Sequence, residues 1–342
     1  MSHILPFIDR VEDLKALTDW CSKSRHLSLY IYGPEGCGKT RLLKEFVSRF
    51  KEIYGDRAIA VYIDALERES IEKALLSTPG LSLALDTLTS VIDKTVNIGA
   101  SLAEKVATIL EKVVGAHRLK NNYVTVAVDD VASALGIDNV EWYVKWLYEL
   151  ANKLDESYRP NAINFIVTTS EGFSRERVSR HGYSHAILLW NLSREAFEEM
   201  FYKLTPLHNV NFEIVWNTLG GNPRKLIELA TVFNWNLDNM MKKYTAIARE
   251  IVEKIISLGL VRELKMILED IDAPRKKPSE NMMKLTRILI EKNMMIYVDW
   301  PTLTGRDLTI DENVGIGKAY AWQVPIFRKT LEAALKSIYL NS

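Results

Sequence analysis

The chain has 342 residues, 47% hydrophobic and 26% charged, the make-up of a globular protein of two or three domains rather than a disordered or fibrous one. Lysine plus arginine equals aspartate plus glutamate at 44 each, so the net charge is zero. That balance excludes a protein whose main task is coating nucleic acid, while leaving room for a local basic patch.

Two cysteines, Cys21 and Cys37, exclude a disulfide framework and fit a reducing, cytoplasmic setting. Met1 to Arg10 mixes acid and proline without a long apolar core, so no signal peptide is expected. No uncharged run reaches the length of a membrane span.

In chain order, residues 7–14 (FIDRVEDL) lead into an amphipathic helix ending near Cys21, with Leu14, Leu17 and Trp20 on one face. His26–Tyr32 reads as a short strand. It runs into Gly33-Pro34-Glu35-Gly36-Cys37-Gly38-Lys39-Thr40, a full match to the phosphate-loop pattern G-x-x-x-x-G-K-[ST]. The glycines let the backbone curl with its N–H groups inward, and the following helix, read over Arg41–Val47, adds its N-terminus, so the loop cradles polyanions. Lys39 reaches the β- and γ-phosphates as a mobile charge, and Thr40 supplies a hydroxyl for Mg²⁺. Cys37 fills a variable motif position and reads as packing.

Ala58–Asp64 reads as a second strand. Glu67 to Leu119 reads as helical, with an apolar middle that is either a pair of buried helices inserted between strands or an element that touches a partner or a membrane surface. Tyr123–Val128 is a β-branched strand ending on Asp129 and Asp130. After a phosphate loop, such a tip supplies a metal-binding carboxylate (Asp129) and one that orients or deprotonates the attacking water (Asp130); both also suit helix N-capping. Val140–Lys153 is a helix whose aromatics, Trp142, Tyr143, Trp146 and Tyr148, read as core packing. Ala162–Ser170 is a further strand whose tip offers Thr169 or Ser170 to bridge γ-phosphate and water. Arg175, Arg177 and Arg180 follow, as phosphate partners or as a solvated charged loop. Ala186–Trp190 is the fifth strand. Strands alternating with helices imply a parallel sheet covered on both faces.

From Ser193, the N-cap of a helix over 194–204, the chain turns helical. Gly220-Gly221-Asn222-Pro223-Arg224 starts another helix with Arg224 in its first turn, against the helix dipole. Its partner is a nucleotide phosphate or a surface carboxylate. Another helix covers about 238–256. Residues 273–280, with two prolines around three basic residues, read as a linker. Beyond it come a helix (282–292), strands at 295–300 and 319–324, and a last helix (325–337), a winged-helix pattern. From Val261 on there are 13 basic and 11 acidic residues, a feeble footprint for DNA.

Residues 7–14, the phosphate loop, the Asp129–Asp130 strand, the Thr168–Ser170 tip, GGNPRKL (220–226) and GIGKAYAWQVP (315–325) together resemble the archaeal ATPase family, AAA-like members of the STAND group of phosphate-loop ATPases. The resemblance implies an α/β core over residues 1–192 with a parallel five-stranded sheet, a helical lid over 193–272 and a winged-helix-like domain over 273–342. It implies ATP/ADP and Mg²⁺ as cofactors. Arg10 then lies near the base, residues 33–41 and Pro223 line the nucleotide, and Arg224 is the lid arginine on the γ-phosphate. Related enzymes often carry Asp-Glu where this chain has Asp129-Asp130, which implies slow turnover. The expected activity is Mg-dependent ATP hydrolysis that moves lid and winged helix, with Lys39, Asp130, Thr169 and Arg224 as the catalytic set and Thr40 with Asp129 on the metal. The rivals are an origin-recognition-like DNA-binding ATPase and a low-turnover nucleotide-gated switch or scaffold for a protein partner.

Overall fold

A computed structural model describes residues 7–66, 75–77, 119–169, 172, 174–180 and 182–340. Its centre is a six-stranded sheet in the order β3-β2-β4-β5-β1-β6, with β1 Ser28–Tyr32, β2 Ala58–Asp64, β3 Leu75–Ser77, β4 Tyr123–Asp129, β5 Ala162–Thr169 and β6 Ser184–Leu188. The five strands expected from sequence run parallel to one another. β3 is the addition, antiparallel to β2 at the edge. It falls inside the stretch read as helical; the expected inserted helices of that stretch otherwise lie outside the described residues, as does Ser170.

The strands are largely apolar because both faces are covered. Tyr30, Val126, Val128, Phe165 and Val167 look one way, onto α4 (Ile137–Tyr158), while Leu29, Ile31, Ala127 and Ile166 look the other way, onto α1 (Val11–Cys21) and α2 (Lys39–Tyr54). β1 begins two residues later than expected because His26 sits at φ +60. β6 ends at Leu188, earlier than expected, although the Leu189 N–H still bonds Tyr32 O at 2.9 Å. α4 is longer than expected and only partly buried: Tyr143 is in the core, whereas Trp142 is 59% exposed, so its aromatics do not all serve packing.

Beyond the sheet lie α6 (Arg194–Lys203), capped by the Ser193 hydroxyl, α7 (Phe212–Leu219), α8 (Pro223–Thr231) and α9 (Leu237–Ser257). Between α4 and α6 a short helix, α5 (Ser174–Val178), follows β5, and α3 (Val131–Leu135) follows β4. The C-terminal elements are α10 (Val261–Glu269), α11 (Ala273–Lys276), α12 (Glu280–Glu291), an antiparallel pair β7 (Met295–Tyr297) and β8 (Tyr320–Trp322), and α13 (Pro325–Leu340). α9, α10, α12 and α13 share one apolar core. The expected linker is half packed: Ala273 and Pro274 are buried, and only the part from Arg275 on is exposed.

The connection between β7 and β8 docks on the sheet edge. Leu188 N–H bonds Pro301 O at 2.9 Å, Leu303 N–H returns to Leu188 O at 3.0 Å, and the Trp300 indole donates to Ala186 O at 2.7 Å. An otherwise open edge strand is thereby covered.

Candidate functional site

The phosphate loop leaves the C-terminal end of β1 and opens α2 with Gly38 at φ +107, where no L side chain sits comfortably. Gly36, at φ +80, has a second constraint: a Cβ there would lie 2.5 Å from Cβ of Arg224, so loop and α8 can approach this closely only because the residue is glycine. Cys37 is buried with Sγ 3.5 Å from Leu189 O, the packing role expected for it. Lys39 is buried, and its Nζ donates to Gly33 O and Pro34 O at 2.9 Å each. The loop's own carbonyls thus hold the ammonium that the motif offers to phosphate.

Beside the loop is a cleft of about 380 Å³. Its apolar lining is Phe7, Ile8, Leu192, Met200, Pro223 and Ile227, and its polar lining runs over Gly36 to Arg41 with Arg10, Lys44, Asp130 and Arg224. An apolar slot joined to a glycine-lined cationic end suits a flat ring tethered to a polyanion.

Arg10 sits at φ +69 just before α1. It pairs with Asp13 at 3.1 Å and donates to Cys37 O at 2.8 Å and Trp190 O at 2.6 Å. It lines the cleft, but these donors fasten the loop to the end of the sheet.

Asp129 is 4% exposed at the tip of β4. The Tyr62 hydroxyl donates to one carboxylate oxygen at 2.8 Å and the Thr168 hydroxyl donates to the other. Burial and the neighbouring Asp129 charge push the Tyr62 phenol far up, so it remains a donor. Asp130 follows at φ +56, at the N-terminus of α3 but without a side-chain capping bond; its N–H donates to Thr168 Oγ1 at 3.1 Å and its carboxylate accepts from the Ser133 hydroxyl at 3.2 Å. Thr168 therefore ties both aspartates together.

Thr169, expected beside Asp130, faces the other side of the sheet. It accepts from Ser174 Oγ at 3.4 Å, and Ser174 in turn accepts from Tyr30 at 2.9 Å. Strand alternation carries the signal that separates the two threonines: Thr168 shares a face with Ile166, which packs toward α2, while Thr169 shares one with Phe165 and Val167. Of the three arginines after β5, none lines the cleft. Arg175 lies 4.5 Å from the Tyr297 ring and 4.8 Å from the Trp300 ring, Arg177 pairs with Asp138 at 2.8 Å, and Arg180 with Glu176 at 3.6 Å.

Arg224, in the first turn of α8, forms an ion pair with Glu35 of the loop at 2.7 Å, at the rim of the cleft. Asn222 caps the same helix, accepting from Lys225 N–H at 3.1 Å, and its amide donates to Glu35 O and to Asn191 Oδ1 at 2.9 Å each. Asn191 then donates to Gln323 O at 2.9 Å, and Gln323 Oε1 accepts the Glu35 N–H at 2.9 Å. This buried run of amides joins the loop, the end of β6, α8 and the C-terminal strand. Asn191, Tyr62 and Asp272 carry no motif signal of their own, whereas Gln323 lies in the 315–325 stretch that carries the family resemblance. Asp272 accepts three consecutive backbone N–H groups, Lys318 at 2.6 Å, Ala319 at 2.8 Å and Tyr320 at 3.0 Å, which positions the segment bearing Gln323.

An ATPase domain family found predominantly in Archaea matches residues 7–229, from the apolar lining of the cleft through α8. The chain belongs to this family. An uncharacterized ATP-binding protein of Methanocaldococcus jannaschii is 22% identical over 337 residues, 87% of this chain and 88% of the relative. Among solved structures, the ORC2 protein of Aeropyrum pernix in its ADPNP-ADP complexes aligns at a TM-score of 0.41 and 15% identity, covering 98% of this chain and 97% of that one. Domain III of the Thermotoga maritima replication initiation protein DnaA aligns at 0.37 and 16%, covering 69% and 88%. At that distance neither says what this chain binds. Among the described residues no helix is long and apolar enough to cross a membrane.

Proposed function

We propose that this protein binds ATP with Mg²⁺ in the cleft behind Gly33–Thr40 and hydrolyses it slowly. On this reading turnover moves a lid (193–272) and a C-terminal winged-helix domain (273–342) against the core (1–192). The observation that carries the reading is the convergence of Lys39, Thr40, Asp130 and Arg224 on one cleft that is also lined by Phe7, Ile8, Leu192 and Pro223. The base lies against Phe7, Ile8, Leu192 and Pro223. Adenine is preferred on the likeness to the archaeal ATPase family; the N-K-x-D match at Asn152–Asp155 lies inside α4, and none of its residues lines the cleft.

The roles follow from the chemistry. Lys39 leaves Gly33 O and Pro34 O for phosphate oxygens, which accept more strongly than neutral carbonyls. Thr40 and Asp129 are hard oxygen donors that fit Mg²⁺, and a carboxylate that already accepts Tyr62 and Thr168 keeps lone pairs for a metal-bound water. When bound, the ion neutralises charge on the phosphates. Asp130 orients the attacking water, with Thr168 rather than Thr169 fixing its backbone. The short Asp130 side chain, shared with Ser133, favours slow turnover. The two free, buried thiols suit a reducing cytoplasm.

The alternative of duplex DNA as partner meets a specific obstacle: the β7–β8 connection, the part of a wing that would reach DNA, is bonded to β6 at Leu188. A protein partner acting through the C-terminal helices needs no such release. The test is an ATPase assay on the purified chain with and without duplex DNA. Turnover that Lys39→Ala abolishes and DNA leaves unchanged supports the reading. Undiminished hydrolysis by Lys39→Ala overturns the site, and salt-dependent duplex binding with stimulation moves the assignment to a DNA-dependent ATPase.

A further inference from the structure

The loop residue at the third motif position is acidic. Glu35 places a carboxylate at the mouth of a site that, on the reading above, takes a polyanion. It is bonded to Arg224 at 2.7 Å. We propose that the Glu35 carboxylate competes with the terminal phosphate for Arg224, and so sets how strongly this site prefers a nucleoside triphosphate to a diphosphate. This rests on the nucleotide reading of the cleft.

Three observations carry it. First, the backbones of both residues are pinned. Glu35 gives its N–H to Gln323 and its carbonyl to Asn222, each at 2.9 Å, and Arg224 N–H meets Gly36 O at 3.4 Å. With Cβ of Arg224 wedged against Gly36, only the far end of the arginine can swing. The exchange is therefore a side-chain rotation and needs no movement of the lid.

Second, the pair is weak enough to trade. The two side chains are 58% and 51% exposed, so solvent screens their attraction. A phosphate offers the guanidinium a bidentate acceptor of higher charge. Third, Arg224 lies in the first turn of α8, where the helix dipole disfavours a cation, so it calls for an anion at this spot. Glu35 supplies one from the protein and a terminal phosphate would supply another. The adjacent Lys225 is no substitute, since it is bound to Glu228 at 3.1 Å on the side of Tyr244.

The test compares equilibrium binding of the non-hydrolysable triphosphate AMPPNP and of ADP, both with Mg²⁺, to the full chain. Four forms are needed: wild type, Glu35→Gln, Arg224→Ala and the double variant. Glu35→Gln should tighten AMPPNP about fivefold and ADP by less than about twofold, the size expected for freeing one partner of an exposed pair. In the Arg224→Ala background the same change should bring no triphosphate-specific gain. Raising the salt should shrink the difference. Equal tightening of both nucleotides, or a gain that survives in Arg224→Ala, overturns the proposal by making Glu35 a general negative charge. A wild-type chain that binds neither nucleotide overturns the underlying nucleotide reading as well.

Discussion

The phosphate loop and the C-terminal segment 315–325 meet at Glu35, and they use polar groups in opposite ways. In the loop, Lys39 and Arg224 rest on protein acceptors, Gly33 O, Pro34 O and Glu35, that a polyanion can replace. In the C-terminal segment, three amides are spent on the buried Asp272 carboxylate, and Gln323 is spent on the loop and on Asn191. Nothing there is left to exchange. The lesson is that a short segment far from the cleft in sequence shapes the site by holding backbone, whereas the loop keeps its cations in provisional contacts.

The comparison breaks first at Lys39. Lys39→Ala should abolish nucleotide binding or lower turnover by roughly a hundredfold or more, because no other side chain combines that charge with that position. Isothermal titration with the ATPase assay checks it. Next is Asp130→Asn, chosen because asparagine tolerates the φ of +56. It should leave nucleotide affinity nearly unchanged and cut kcat about a hundredfold. Equal losses in affinity and kcat would instead make Asp130 a binding residue.

A finer cut separates the two threonines. Thr168→Val should lower kcat about tenfold, since it removes the hydroxyl shared by Asp129 and Asp130. Thr169→Val should lower kcat less and act through stability. The reverse order would return the water-positioning role to Thr169. On the C-terminal side, Gln323→Ala leaves the Glu35 N–H without its buried partner and should cost about 1–3 kcal/mol of stability. Denaturant unfolding would show this, and exchange of the Glu35 amide should quicken.

The smallest effect belongs to the contact between α8 and α9. Burial pushes the Glu228 carboxyl up, but hydrogen bonds from Lys243 and Tyr244 and the Lys225 charge outweigh it, so it titrates below its ordinary 4.5. Its contribution is therefore complete above that pH and lost as pH falls through the lowered value. Glu228→Gln should flatten the acid limb of Tm against pH and change Tm near neutrality by roughly 2 °C at most. An unchanged acid limb would remove Glu228 from the charges that fasten α8 to α9.

Much of this was legible from local pattern. The strand–loop–helix order around 33–40, the strand that ends on Asp129, and the Ser193 cap each depend on a few neighbouring residues, and the structure shows all three. The one-sided burial of α4 was less legible, because Trp142 and Tyr143 are equally apolar and differ only in which face meets the sheet. The β3 edge strand was not legible, since its three residues gain their conformation from pairing with Val61, Tyr62 and Ile63.

By itself the sequence determined the phosphate loop, the five parallel strands and most of the longer helices, since backbone freedom at glycine and the alternation of apolar runs act over a few residues. Only the tertiary structure decided that Thr168 rather than Thr169 meets the aspartates, that Arg224 rests on Glu35, and that Gln323 reaches the loop. Those choices depend on which faces and ends of distant elements come within hydrogen-bond range, a distance that packing sets and no local pattern records.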